Sequence, residues 1–266
     1  MKNRKLIYTI ITLLFALGFY IYDNYSGELK TINSKDEEIE INTNFLPTST
    51  TNQIVHHKYY SLSYNEKYEQ AEWVAYALTK NHLSNKNIKR PYFELDPKVK
   101  TKSSHYKNFK NSGYNKGHLC PAGDRTFSEE AFNETFLTSN ISPQTYGFNA
   151  GIWNRLEQKT RFWAEKYDKL YIVTGGILNN NLKTIGFEKV GVPNYFYKII
   201  LDYHTPKLKV IAFLIPHQNS KKGLYQFVTS VDEIERLTGI DFFPELPDEL
   251  ETELEKSDSY INWSFN

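Results

Sequence analysis

The segment YNKGHLCPAGDR, residues 114–125, sets His118 apart from the other histidines of the chain. It places Gly117 directly before the imidazole and supplies two nearby cations, Lys116 and Arg125. Glycine has no Cβ, so the backbone at this point can approach a ligand closely. A neutral imidazole can accept a proton near pH 7. The segment therefore makes His118 a candidate catalytic residue, with an ordinary core or surface histidine as the alternative.

Cys120, the single cysteine of the chain, follows His118 by two residues. On a strand the two side chains would face the same side, which raises the alternative of a Cys–His nucleophile. Residues two apart on a strand are separated by about 7 Å, too far for the hydrogen bond that such a pair requires. We therefore expect Cys120 to be a small buried residue. One cysteine also excludes an intrachain disulfide and a multi-cysteine metal site.

The composition is typical of a globular protein with one large domain. The 266 residues are 40% apolar and 15% aromatic, and their net charge is only +1, which excludes a uniformly basic surface. The charges are nevertheless segregated. The stretch from Lys80 to Arg125 contains nine Lys and two Arg but only three acidic residues. The stretch from Asp232 to Asp258 contains eleven acidic residues but only two basic ones. This asymmetry favours an anionic ligand at one face, with solvated loops as the alternative.

The chain divides into three parts. Residues 1–25 hold cations at Lys2, Arg4 and Lys5 and then an apolar run, which predicts an N-terminal apolar helix that is either a signal anchor or a cleaved signal peptide. Because cations that precede an apolar segment stay in the cytoplasm, we expect the rest of the chain to lie outside it. The domain would be either anchored to the membrane or secreted. Residues 26–55 are polar and predict a linker, and residues 56–266 form the functional domain.

Hydrophobic periodicity within this domain predicts a mixed α+β structure. Strands are expected at 59–64, 170–174, 195–201 and 210–215, and helices at 69–78, from about 151 to 167, from Ser230 to near Gly239, and within 245–255. Ser230 followed three residues later by Glu233 is a capping-box pattern.

Three segments in order, YNKGHLCPAGDR (114–125), SNISPQ (139–144) and NAGIWNRLE (149–157), resemble the DNA/RNA non-specific endonuclease family. The resemblance extends over about residues 59–243. It implies the ββα-metal nuclease fold, with a central antiparallel sheet flanked by helices. It also implies metal-dependent hydrolysis of phosphodiester bonds in DNA and RNA with little sequence specificity.

The resemblance also implies roles for individual residues. His118 matches the general base, Asn149 the direct protein ligand to Mg²⁺ (with Mn²⁺ as the alternative ion), and Glu157 a residue that holds metal-bound waters. The remaining site residues are an active-site asparagine, two arginines and a lysine: Asn140, Arg90, Arg161 and Lys116. Where the family usually has Asp-Arg-Gly-His, this chain has Asn115-Lys116-Gly117-His118. Lysine retains the charge but lacks the two-pronged contact of arginine with phosphate.

These residue types suit phosphodiester hydrolysis. A neutral imidazole can deprotonate water, and amide and carboxylate oxygens are ligands that Mg²⁺ accepts. On one continuous helix Asn149 and Glu157 would lie about 12 Å apart along the axis and about 80° apart around it, so Glu157 would reach the ion through water. Arg161 could pair with Glu157 at i,i+4.

Two other functions are compatible with the sequence. One is a non-catalytic extracellular nucleic-acid-binding module of the same fold, and the other is a phosphodiesterase that acts on small substrates. The expected partners are DNA and RNA, together with the membrane if the N-terminal helix is not cleaved. The sequence leaves open the oligomeric state and the preference between DNA and RNA.

Overall fold

A computed structural model describes residues 45–84, 86–203 and 208–265. The predicted N-terminal apolar helix and most of the predicted linker lie outside these residues. Within the described ranges, none of the helices has the length and apolar character needed to cross a membrane.

The centre of the domain is a seven-stranded antiparallel sheet in the order β1-β2-β3-β6-β9-β10-β11. Its strands are β1 (Ile54–His56), β2 (Ser61–Asn65), β3 (Gln70–Leu78), β6 (Leu170–Gly176), β9 (Tyr195–Asp202), β10 (Lys209–Pro216) and β11 (Val228–Thr229). Two small antiparallel ladders accompany it: β4 (Asn115–His118) with β5 (Ile141–Gln144), and β7 (Lys183–Ile185) with β8 (Val190–Val192).

Four α-helices are present in the described chain: α1 (Glu129–Glu134), α2 (Asn154–Tyr167), α3 (Val231–Thr238) and α4 (Asp248–Glu255). A π-helical turn, Phe148–Trp153, leads into α2. Short 3₁₀ turns occupy Lys80–His82, Tyr106–Phe109, Ala122–Asp124, Thr138–Asn140 and Leu224–Phe227.

The two faces of the sheet are covered by different parts of the chain. Successive side chains of a strand point to opposite faces, so Tyr197 and Lys198 of β9 lie on different sides. On the Lys198 side, Trp163 of α2 stacks on Phe213 with ring centroids 6.2 Å apart. On the Tyr197 side, Phe242, which follows α3, packs edge-on at 5.5 Å. Helix α2 and the α3–α4 region therefore cover opposite faces.

The prediction of a helix over residues 69–78 was wrong, because Gln70–Leu78 is strand β3. This strand pairs with β2 on one side and β6 on the other, and all of its residues except Ala77 are buried. A strand that is covered on both faces is apolar at successive positions and does not alternate. The spacing of Trp73, Ala77 and Leu78 was therefore a poor guide to its conformation.

The other predicted strands and helices agree with the structure in type and place. The Ser230 hydroxyl accepts a hydrogen bond from the Glu233 backbone N–H (3.2 Å), and α3 ends at Gly239 with a left-handed φ of +70°. The folded domain also reaches further toward the N-terminus than residue 56. Phe45 packs against Tyr171 and Tyr203, with ring centroids 5.3 and 5.4 Å away.

Candidate active site

A ββα unit brings His118, Asn149 and Glu157 to one cleft. His118 ends β4 and is paired with Ile141 of β5, and the chain then enters the π-helical turn and α2. The cleft has a volume of about 320 Å³. It is lined by Arg90, His118, Pro121, Ala122, Gly123, Phe132, Phe136, Asn149, Asn154, Glu157 and Arg161. The structure thus brings five of the seven predicted site residues together.

His118 is positioned by aromatic packing. Its ring lies 5.1 Å from Phe136 and 5.7 Å from Phe93, between centroids. Its Nε2 atom is buried and has no hydrogen-bond partner in the described part of the chain. Burial, reinforced by the positive charge of Arg90, lowers the pKa of His118 to about 3. The imidazole is therefore neutral at pH 7, with an uncommitted ring nitrogen.

Arg90 is exposed beside the same rings. Its guanidinium carbon lies 5.2 Å from the Phe136 centroid and 5.8 Å from the Phe93 centroid. Within the described ranges no carboxylate pairs with it. The side chain is therefore a stacked cation at the edge of the cleft that is available to an anion.

Asn149 projects from the π-helical turn rather than from a continuous helix. Gly151 within this turn has φ −99° and ψ −109°, well outside helical values. A Cβ at Gly151 would lie only 2.8 Å from the Asn219 side-chain oxygen, so glycine permits this close approach. The continuous helix assumed between Asn149 and Glu157 was therefore wrong, although both residues line the cleft.

Glu157 lies among buried charges. Burial, together with the negative charge of Asp124, raises the pKa of its carboxyl to about 7 against the opposing effects of Lys198 and Arg161. Lys198 is fully buried on β9, 5.0 Å from the Trp153 ring centroid, and its Nζ has no hydrogen-bond partner among the described residues. Burial lowers the pKa of Lys198.

Arg161 pairs with Asp124, so the expected pairing with Glu157 was wrong. Its Nη1 lies 2.7 Å from Asp124 Oδ1, and the Tyr76 hydroxyl donates to the other carboxylate oxygen at 3.1 Å. Gly123 makes room for this arrangement, since a Cβ there would lie 3.3 Å from Arg161 Nη1. The buried Asp124 carboxylate thus fixes the Arg161 side chain, which lines the cleft.

Asn140 is fully buried and does not line the cleft. Its side-chain oxygen accepts from the Cys120 N–H (2.8 Å), and its amide donates to the carbonyls of Cys120 (3.0 Å) and Thr135 (2.9 Å). Asn140 therefore fixes the backbone that follows His118. Cys120 is also buried, which raises the pKa of its thiol to about 12, as expected for a structural residue.

Lys116 likewise lies outside the cleft lining. Its Nζ is 5.2 Å from the Phe93 centroid and 5.7 Å from the Phe109 centroid. Partial burial and the nearby charge of Arg90 lower its pKa. Lys116 and Arg90 thus share the Phe93 ring and place two positive charges close to His118.

Two expectations about the neighbours of His118 were wrong. A Cβ at Gly117 would lie 2.2 Å from the Gln144 side chain, so glycine is required there by packing rather than by approach to a ligand. Arg125 is buried and donates to the backbone oxygens of Asp124, Tyr59 and Ala77, so it does not supply charge to the cleft.

A second, wider cleft of about 870 Å³ adjoins the first through Gly123 and Arg161, which line both. Lys80 and Lys86 contribute cations to it, and Phe162 offers a partly exposed ring (39%). Part of the basic segment therefore borders the site, next to a ring that could stack on a base.

Comparisons with known proteins agree with this geometry. The family described as DNA/RNA non-specific endonuclease matches residues 38–249. Mitochondrial nuclease EXOG of Danio rerio is 37% identical over 202 residues, which is 70% of this chain and 59% of that protein. A nuclease of Nostoc sp. is 33% identical over 233 residues, covering 79% of this chain and 80% of that protein. The chain thus spans less than two thirds of the EXOG protein and most of the Nostoc nuclease.

A solved structure, described as that of the EndoG/EndoGI complex and the mechanism of EndoG inhibition, superposes with a TM-score of 0.69 at 27% identity. The match covers 74% of this chain and 88% of the other. The ββα arrangement of β4, β5 and α2 and the family match lead to one assignment. This chain belongs to the DNA/RNA non-specific endonuclease family.

Proposed function

We propose that this protein is an endonuclease that hydrolyses phosphodiester bonds in DNA and RNA, with His118 as general base and a divalent ion, Mg²⁺, held by Asn149. One observation carries the proposal: a neutral imidazole with a free ring nitrogen lines the same cleft as Asn149 and Glu157. This combination of base and oxygen donors is what phosphodiester hydrolysis requires.

The residues of the cleft suit a hard divalent ion. In the described chain the Asn149 amide and the Glu157 carboxylate make no side-chain hydrogen bond, so their oxygens are available as ligands to a metal ion. The raised pKa of Glu157 indicates that a nearby positive charge would stabilise its ionised form. Asn149 would hold the ion directly, and Glu157 would act through water. When bound, the ion would supply Lewis-acid stabilisation of charge on the phosphate.

The proton moves to His118. The free nitrogen of the neutral ring accepts a proton from the attacking water as the water oxygen bonds to phosphorus. The bond from phosphorus to the leaving sugar oxygen breaks, and that oxygen takes up a proton from solvent. The packing of Phe93 and Phe136 holds the ring in place. A pKa of about 3 is low for a base at neutral pH. A phosphate in the cleft would raise it, because its negative charge offsets that of Arg90 and stabilises the imidazolium.

Two cations, Arg90 and Arg161, hold the phosphate. They both line the cleft, and the ion pair with Asp124 fixes the direction of Arg161. The second cleft adds Lys80 and Lys86, which suit further phosphates of a polynucleotide. Contacts of this kind carry no base-sequence information, so the geometry favours cleavage with little sequence specificity.

Turnover of plasmid DNA and ribosomal RNA, with Mg²⁺ or with chelator, tests the proposal directly. His118→Ala should lower the rate by about 10²- to 10⁴-fold, the usual contribution of a general base, while nucleic-acid binding persists. His56→Ala, at an exposed histidine outside the cleft, is the matched control. Undiminished turnover in His118→Ala would contradict the assignment. Binding without turnover in the wild type would support the non-catalytic module instead.

A further inference from the structure

Five carboxylates cluster around the end of α4, in the region that covers the sheet face opposite α2. Asp232 and Glu235 belong to α3, Asp241 follows that helix, and Glu251 and Glu255 belong to α4. One oxygen each from Asp232, Glu235 and Glu255 lie within 4.8 Å of one another, and the same holds for Asp241, Glu251 and Glu255. Glu255 is common to both groups.

The Glu255 carboxylate lacks the partners that a buried acid normally has. The residue is only 7% exposed, and its Oε1 atom is buried with no hydrogen-bond partner among the described residues. An unpartnered carboxylate oxygen of this kind is costly, because burial removes the water that would solvate it. Its position in both carboxylate groups means that it points into the cluster.

Basic side chains of the described chain do not neutralise the cluster. Arg236, the cation on α3, gives both of its side-chain hydrogen bonds to Glu233, which is outside the cluster (2.7 and 2.8 Å). None of the ion pairs within the described ranges includes a cluster carboxylate. The mutual repulsion of the carboxylates is therefore met by no protein cation there.

We propose that this cluster is a binding site for one divalent cation, Ca²⁺, with Glu255 as the ligand shared by the two groups. A set made only of carboxylate oxygens favours hard ions over the transition metals that prefer nitrogen or sulfur. Two oxygens bound to one Ca²⁺ lie at most about 5 Å apart, twice the ligand distance of about 2.5 Å. Within each group of three carboxylates the observed separations, all within 4.8 Å, meet this limit.

The number of carboxylates favours Ca²⁺ over Mg²⁺. Calcium accepts six to eight oxygens in flexible geometry, whereas magnesium retains several waters and is usually bound by one or two carboxylates. Each group offers three carboxylates, more than the one or two that usually bind magnesium, and so suits the larger ion. The ion would join α3 to α4 on the face opposite the catalytic helix, so its effect falls on domain stability rather than on the reacting groups.

Calcium binding is best measured by isothermal titration of the full-length Asn149→Ala protein in excess Mg²⁺, which removes the contribution of the catalytic cleft. One equivalent of Ca²⁺ should bind and raise the melting temperature, because an ion that binds only the folded state stabilises it. Glu255→Gln should weaken binding at least about tenfold, since affinity follows ligand charge. Glu253→Gln, at an exposed position of the same helix, should bind as its parent does.

A second variant keeps the test valid if Glu255→Gln folds poorly. Asp232→Asn with Glu251→Gln removes one charge from each group at more accessible positions and should weaken Ca²⁺ binding in the same direction. Absence of binding heat and of any melting shift at millimolar Ca²⁺ would overturn the proposal. Equal affinity in the Glu255→Gln and Glu253→Gln proteins would also overturn it.

Discussion

Arg161 Nη1 lies 2.7 Å from Asp124 Oδ1, so a cation at the surface of the cleft is anchored to a carboxylate that is 1% exposed. Tyr76 donates to the second oxygen of that carboxylate at 3.1 Å. The pair links the short 3₁₀ turn after His118 to the middle of α2. Asp124, which does not line the cleft, therefore fixes the direction of the Arg161 side chain, which does.

Asp124→Asn should reduce both stability and turnover. Loss of the buried charge leaves Arg161 without its partner, and breaking such a pair costs about 3 kcal/mol in the free energy of unfolding. The initial rate on plasmid DNA should fall at least about tenfold, because small displacements of positioning groups slow catalysis. Glu130→Gln, which breaks the exposed Lys58–Glu130 pair, should leave both quantities unchanged. Wild-type values for Asp124→Asn would show that Arg161 is held by other contacts.

The metal-binding roles of Asn149 and Glu157 predict different responses to Mg²⁺. Asn149→Ala should lose most activity and recover part of it at high Mg²⁺, because a direct ligand is missing. Glu157→Gln should raise the Mg²⁺ concentration for half-maximal activity by about 10- to 100-fold, the usual effect of a group that acts through a ligand. Rates measured across a Mg²⁺ series distinguish the two. Full activity of either variant in chelator would contradict the metal-dependent mechanism.

The low pKa of His118 predicts a pH dependence of stability. The pKa of His118 is about 3 in the folded protein and about 6.5 when unfolded. As the pH falls from 6.5 toward 3, the unfolded chain takes up a proton that the folded protein excludes, so stability is lost over this range. His118→Asn should show a shallower loss of unfolding free energy there. Above pH 7.5 the difference between the two proteins should be constant, and parallel curves throughout would refute the low pKa.

The sequence indicated those candidate site residues that stand in local motifs. His118, Asn149 and Glu157 stand in short segments with fixed spacing, and the chain brings them together because those segments are consecutive parts of one ββα unit. Strands β6, β9 and β10 were equally predictable, since each contains a run of apolar residues. Gln70–Leu78 was not, because burial on both faces removes the alternation that identifies a strand.

Other features depend on contacts between distant segments, which periodicity does not reveal. The partner of Arg161 lies 37 residues away at Asp124. Lys198 enters the site from β9, where the only indication was a lysine between apolar and aromatic residues of a strand. Asn140 is of a residue type that often acts in catalysis. Its side-chain hydrogen bonds to the backbone of Cys120 and Thr135 instead hold that backbone in place. Burial and partners, rather than residue type, separate these roles.

Gly117→Ala should destabilise the protein by overpacking. The added Cβ would lie 2.2 Å from the buried Gln144 side chain, and overpacking of this kind costs about 1–3 kcal/mol. In a Gln144→Ala background the obstruction is absent, so the same substitution should cost much less. Urea denaturation of the four proteins gives the coupling energy between the positions. Equal costs in both backgrounds would show that the limit at residue 117 comes from the backbone.

The last prediction concerns Lys116, which stands where the family usually has arginine. Its Nζ packs on Phe93 and Phe109 outside the cleft lining, so we expect a contribution to binding rather than to the chemical step. Lys116→Gln should reduce the slope of log affinity against log salt by about one unit if Lys116 contacts one phosphate. Lys116→Arg should keep that slope, and its flat guanidinium should stack on the same rings and bind phosphate in two-pronged fashion. At saturating substrate the three proteins should turn over at similar rates. A loss of about 10²-fold in Lys116→Gln under those conditions would instead place the lysine among the catalytic groups.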